Sequence, residues 1–275
     1  MRTSSEQGIA EVNGAQIAYE IAGAGHPLTL IHAGIADKRM WEAQFATFAE
    51  SYRVVRYDIR GYGQSTCPAG PYTMRADLRA LLQHLGIART HLLGISMGGS
   101  IAIDFTLDYP EMVSALIPVA AGISGEEGAP NPELEARWGE IDEASKRGDI
   151  AAANELELRI WVDGFGRTAG PVDPTVREKV RMMNAAALAR EGEFEQAESV
   201  NRLDPPAIGR LAEIAVPTLV IVGACDLPEV VASAEVLATR IPGAQKVVLP
   251  EVAHLPPLER PAEFNRLVLD FLRGC

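Results

Sequence analysis

Six short apolar runs, separated by longer segments of helical pattern, constrain this chain more than any other feature. They are Leu28 to His32, Arg53 to Tyr57, His91 to Ile95, Ala115 to Val119, Thr218 to Gly223 and Lys246 to Leu249. Most lack the polar alternation of a half-exposed strand, so they read as strands covered on both faces. Between them, Met40 to Ala49, Arg75 to Leu85, Gly98 to Asp108, Val230 to Arg240 and Pro261 to Leu272 carry helical patterns, the last opening on proline and ending before Gly274. This alternation predicts an α/β fold, with a mainly parallel sheet and helices on both faces. Upstream, Ile9 to Val12 and Gln16 to Ile21 flank Asn13-Gly14, so an antiparallel hairpin is expected at one edge.

From about Ser124 to Pro206 the character changes to Gly/Pro punctuation, many Glu and Ala, and helical runs such as Leu134 to Arg147 and Ile150 to Trp161, with no convincing strand. The reading is a helical lid over 124–206, inserted into a core formed by 1–123 and 207–275. It should leave one end of the sheet and fold over it. A length of 275 residues suits one large α/β domain carrying such an insertion.

Charge narrows the partners. With 25 Lys+Arg against 37 Asp+Glu the net charge is −12, which argues against nucleic acid, since phosphate contacts need a basic surplus. No stretch approaches the roughly 18 apolar residues of a membrane span, and the opening residues lack the apolar core of a signal peptide, so a cytoplasmic protein is expected. Cys67, Cys225 and Cys275 have neither even number nor metal-finger spacing, and they read as free thiols. Neither a metal nor a cofactor is expected, and the partner should be a small molecule bound by a monomer or homodimer.

The sharpest chemical signal is Gly94-Ile95-Ser96-Met97-Gly98, a G-x-S-x-G pattern that follows the buried run His91 to Ile95 and opens the next helix. A direct turn from strand into helix brings backbone segments so close that side chains at 94 and 98 would collide, hence glycine. Ser96 is then presented at a helix N-terminus, where N–H groups and the positive dipole end face a developing oxyanion. A serine hydroxyl is a weak nucleophile until a base, oriented by an acid, takes its proton. His254 follows the last strand in Pro250-Glu251-Val252-Ala253-His254-Leu255, and Asp226 follows the strand Thr218 to Gly223; both stand where open α/β sheets collect ligand chemistry. Asp204 and Asp163 are the fallback acids. The N–H of Met97 should be one oxyanion donor, and the loop after Leu28 to His32 should supply the second, from Gly34 or else Ile35. His32 is expected to shape that loop through a hydrogen bond, and it also stands as a candidate pocket residue.

On these residues the chain resembles the α/β-hydrolase fold superfamily, in its serine-nucleophile branch, from about Gly8 to Leu272. The order Ser96, Asp226, His254 matches the family's order of nucleophile, acid and histidine. Asp58-Ile59-Arg60-Gly61-Tyr62-Gly63-Gln64-Ser65 looks like its D-x-R-G-x-G-x-S turn, and Ala253 to Pro261 like its histidine-loop tail. Met40-Trp41 with Gln44, then Gly70-Pro71-Tyr72-Thr73 and Asp77-Leu78, look most like the 3-oxoadipate enol-lactonase group and neighbouring carboxylester hydrolases. A departure is Ala33, where members often carry glycine. The resemblance implies a cofactor-free serine hydrolase cleaving a small carboxylic ester or lactone through an acyl-enzyme. Trp41, Trp138, Trp161, Phe165 and Leu255 join His32 as expected pocket residues. The same three residues also serve carbon–carbon bond hydrolysis or perhydrolysis, and a third reading, from another class, is a small-molecule receptor built on the hydrolase fold.

Overall fold

The computed structural model describes residues 5–128, 130–165, 167, 172–200 and 203–275. The chain opens with β1 (Glu6–Val12) and β2 (Ala15–Ala22), paired antiparallel across a turn in which Asn13 and Gly14 both take positive φ, 47° and 76°. Those angles are what a two-residue hairpin needs to match the strand twist. Then come β3 (Pro27–Ile31), α1 (Glu42–Phe48), β4 (Arg53–Tyr57), β5 (Gly70–Tyr72), α2 (Met74–His84), β6 (Thr90–Ile95), α3 (Met97–Asp108) and β7 (Val113–Val119). After the insertion the chain returns as β9 (Leu219–Gly223), α8 (Pro228–Arg240), β10 (Gln245–Leu249), α9 (Pro256–Glu259) and α10 (Pro261–Leu272), where β8 is a strand of the insertion given below.

The eight-stranded sheet has the order β1-β2-β4-β3-β6-β7-β9-β10, with every pair from β4 to β10 parallel. The expected hairpin therefore caps one edge of a parallel sheet. All of β6 and β9 is buried, whereas β10 at the far edge is mostly exposed, so apolar character tracks position in the sheet. From β3 the chain steps outward to β4 and then crosses back to β6 on the other side. The carboxyl ends of β3 and β6 thus flank a topological switch point, where open α/β sheets hold their ligands.

The insertion carries α4 (Pro132–Lys146), α5 (Ile150–Trp161), α6 (Pro174–Leu188) and α7 (Glu191–Gln196). Asn131, Asp149 and Asp173 cap the first three, each accepting a bond from a backbone N–H of the first turn. Arg177 on α6 binds both Glu155 on α5 and Asp163 just beyond it, which ties the two helices together.

Two features differ from the sequence expectation. The insertion does contain a strand: β8 (Ala197–Ser199) pairs in parallel with β5, forming a separate two-stranded sheet. Three residues, with proline in the partner strand, are too few to leave a period of two in the sequence. The helix expected from Met40 begins instead as a 3-10 turn, Lys38–Trp41, capped by Asp37 and followed by α1. No helix among the described residues is long and apolar enough to cross a membrane.

Candidate active site

Ser96 stands between β6 and α3 with φ 54° and ψ −121°, a backbone state that L-residues rarely adopt. The surroundings enforce it. A Cβ on Gly94 would run into the carbonyl of Gly98, and one on Gly98 would run into the Ile31 and His32 carbonyls of the neighbouring strand end. The turn therefore needs glycine on both sides of Ser96, and the serine is held out of the sheet at its carboxyl edge. Met97 is the first residue of α3, and its N–H has no acceptor within the helix.

Asp226 and His254 are brought together by two loops laced through their backbones. The Ala224 N–H donates to Leu249 O at 2.9 Å and the Cys225 N–H to Val252 O at 2.8 Å. A Cβ on Gly223 would strike the carbonyls of Val252 and Ala253, so the loops close this tightly only over glycine. As a result His254 Nδ1 lies 2.9 Å from both carboxylate oxygens of Asp226, and Leu227 N–H donates to Asp226 Oδ1 at 2.7 Å. A carboxylate can only accept, so the bonded ring atom is Nδ1–H, and Nε2 of the neutral ring carries the lone pair. Nε2 is buried and has no hydrogen-bond partner. The loop is braced from the insertion: Glu259 accepts from Ala253 N–H at 2.9 Å and from Arg167 at 2.8 Å, while Arg167 also donates to Glu251 O.

Ser96 and His254 line one cavity of about 460 Å³. Gly34 and Ile35 from the loop after β3 face it, with Tyr62 from the turn after β4. The insertion supplies the opposite wall: Trp138 from α4, Glu157 and Trp161 one turn apart on α5, Asn184, Ala187 and Leu188 on one face of α6, and Phe194 from α7. The Trp161 ring lies 4.3 Å from the His254 ring and 5.7 Å from that of Trp138.

The other expected pocket residues lie elsewhere. Trp41 is wholly buried in the core beside Phe264, and Leu255 is wholly buried beneath the histidine loop; neither faces the cavity. A large apolar side chain serves a core and a pocket equally well, and only tertiary packing decides between them. Phe165 is covered by the Arg137 guanidinium, 5.0 Å from its ring centre, and is not part of the cavity wall. His32 is also behind the wall. Its Nδ1 donates to Ala33 O at 2.8 Å and its Nε2 accepts from Ile59 N–H at 2.9 Å, joining two loops, and burial pushes its pKa down so that the ring stays neutral. The fallback acids stand apart: Asp163 is taken by Arg177, and Asp204 is exposed. Sequence reasoning missed Glu157, Asn184 and Phe194; the only signal for the first two was their place on one face each of helices α5 and α6. Among the described residues no cluster of His, Cys, Asp or Glu has the arrangement of a metal site.

Residues 26–261 match the family model described as the alpha/beta hydrolase fold. The chain is 32% identical over 232 residues to 3-oxoadipate enol-lactonase 2 of Acinetobacter baylyi, covering 83% of this chain and 82% of that protein. It is 30% identical over 259 residues to a putative carbamate hydrolase, RutD, of Klebsiella pneumoniae, covering 90% and 92%. The crystal structure of the enol-lactonase from Burkholderia xenovorans superposes with a TM-score of 0.77 at 27% identity, over 97% of this chain and all of that one.

Proposed function

The chain belongs to the α/β-hydrolase family and is a hydrolase of that fold, related to enol-lactonases and carbamate hydrolases; from that premise we propose that it cleaves a small carboxylic ester or lactone with Ser96 as nucleophile. The observation that carries the reading is the unpartnered Nε2 of His254, held by Asp226 and opening on the same cavity as Ser96. In this mechanism Ser96 Oγ attacks the carbonyl carbon as His254 Nε2 takes its proton. Asp226 fixes the tautomer and stabilises the imidazolium. The negative charge on the former carbonyl oxygen is met by N–H groups of Met97 and of Gly34, with Ile35 the alternative donor on the same loop. Collapse expels the alkoxide, which takes the proton from His254. Water, deprotonated by the same nitrogen, then frees the acid and restores Ser96. No cofactor is needed. The domain reading belongs with it: 124–206 acts as a lid whose Trp138 and Trp161 wall the acyl and leaving-group space.

Lactones and esters follow one course and differ only in whether the leaving alcohol stays tethered. A panel of p-nitrophenyl acetate, a γ-lactone and an enol-lactone, read beside labelling of Ser96 by a fluorophosphonate, tests the reading. Turnover and labelling that vanish together in Ser96→Ala support it. Ligand-driven stabilisation with negligible turnover would overturn it in favour of a receptor.

A further inference from the structure

Asn184 of α6 stands in the cavity wall contributed by the insertion, although only 2% of it is exposed. A buried amide is costly unless its bonds are made, so where those bonds go decides what it has left to offer. Its neighbours fix its orientation. Asn154 on α5, also buried, donates through Nδ2 to the Arg181 carbonyl at 2.9 Å. A carbonyl can only accept, so the Asn154 amide keeps its NH2 on that side and turns Oδ1 toward Asn184. Asn184 meets that oxygen with Nδ2 at 3.0 Å, and the same nitrogen donates to Glu157 Oε2 at 2.5 Å. A flipped Asn184 amide would set oxygen against oxygen at both contacts. Both of its N–H bonds are thus spent within the insertion, and the side chain keeps one hydrogen-bonding atom, Oδ1, an acceptor with two lone pairs. Among the described residues no group donates to that oxygen. On α6 the wall beside it is apolar, formed by Ala187 and Leu188.

We infer that Asn184 is a specificity-determining residue whose Oδ1 accepts a hydrogen bond from a hydroxyl or N–H group of the substrate. This rests on the hydrolase reading above and adds the class of substrate: a small ester or lactone that carries a hydrogen-bond donor. An acceptor cannot bind the scissile carbonyl oxygen, so the donor lies elsewhere on the substrate. Because the amide is held from behind, its oxygen needs no reordering when the donor arrives. A ligand that covers it with an alkyl group leaves a buried acceptor without a partner, which is how a polar site rejects an analogue lacking the donor.

The test uses two isosteric pairs that exchange a hydroxyl for a methyl group: ethyl 3-hydroxypropanoate with ethyl butanoate, and ethyl 6-hydroxyhexanoate with ethyl heptanoate. The ratio of kcat/KM, hydroxy over alkyl, is measured for each pair in the wild type, Asn184→Leu and Asn184→Asp, with Tm beside it. Asn184→Leu removes the acceptor and should lower the ratio by about tenfold or more for the pair whose hydroxyl reaches it, since a buried donor is then left unpaired. Asn184→Asp removes both donors to α5 but keeps an acceptor oxygen in the wall. Its Tm should fall with that of Asn184→Leu, while its ratio stays within about threefold of wild type. A purely structural amide predicts the opposite, the two variants changing the ratio alike; that result, or a ratio in Asn184→Leu equal to wild type for both pairs, overturns the assignment. Calorimetric binding of the same esters to Ser96→Ala and to Ser96→Ala/Asn184→Leu reads the contact without turnover. If no ester is hydrolysed by the wild type, the hydrolase reading fails, while a preference for the hydroxy ester in binding that is lost with Asn184→Leu keeps the contact; an unchanged preference removes it.

Discussion

At the scale of single residues, the proposed chemistry concentrates where the backbone is least free. Ser96 sits at a positive φ between two glycines that no other residue could replace, and the geometry costs on the order of 1–3 kcal/mol that the surrounding sheet must supply. Ser96→Ala should therefore fold as the wild type does while losing about 10⁴-fold or more in kcat on p-nitrophenyl acetate, since only oxyanion and binding contributions survive. Retained turnover in a preparation free of other esterases would refute the nucleophile. For Asp226→Asn, an amide facing Nδ1 at 2.9 Å favours the tautomer that places the proton on Nε2, so the base is lost although its position is kept. A fall of about 10³-fold or more in kcat, with Tm within a few degrees of wild type, is expected. Near wild-type rates would send the search back to Asp163 or Asp204. These three residues were legible in the sequence because each is tied to a strand end, and strand ends are marked by apolar runs and by glycines at 94, 98 and 223.

At the scale of elements, legibility follows period and length. Long runs buried on both faces and the Asn13-Gly14 turn declared themselves, and α5 begins and ends where its pattern does. The three-residue strands β5 and β8 could not. Nor could the sequence sort aromatic residues between core and cavity: Trp41 packs on Phe264, while Trp138 and Trp161 face the cavity. The two tryptophans of the insertion should differ in effect. Trp138 lines the cavity that holds Ser96 and His254 and also a larger cleft of about 870 Å³ beside α8, so it stands between the two spaces. Trp138→Ala should raise kcat/KM for bulky esters relative to acetate by about ten- to thirtyfold, because removing a few buried carbon groups is worth only about 1 to 3 kcal/mol of discrimination. Trp161 lies against the His254 ring, 4.3 Å between centres, so Trp161→Ala should lower kcat on every ester alike. A three-ester panel with Tm beside it separates these outcomes. A uniform loss of rate in Trp138→Ala with a large drop in Tm would make Trp138 lid core and nothing more.

At the scale of the whole molecule, the two ends of the sheet do different work. The carboxyl ends of β6, β9 and β10 lead into the proposed nucleophile, acid and base, whereas the opposite end of β6 carries His91, buried with an unpartnered Nδ1. The His26 ring lies 4.3 Å from it and Tyr52 packs edge-on at 5.9 Å, while His26 shares a hydrogen bond with Ser114. Burial first, then the His26 and Arg89 charges, holds the His91 pKa down at about 4, against roughly 6.5 for an unconstrained histidine. The sign of the consequence follows from proton counting. Between about pH 6.5 and pH 4 the unfolded chain binds a proton at this position and the folded chain does not, so acid favours unfolding and stability falls as the pH drops through that window. His91→Phe keeps an aromatic ring against Tyr52 and removes the titration. Its Tm should therefore fall less than that of the wild type between pH 7 and pH 4.5, by about 3 °C or more. The carboxylates of this acidic chain titrate in both proteins, so the difference between the two Tm profiles isolates the histidine. Parallel profiles would show that His91 takes up its proton without unfolding the sheet end around it.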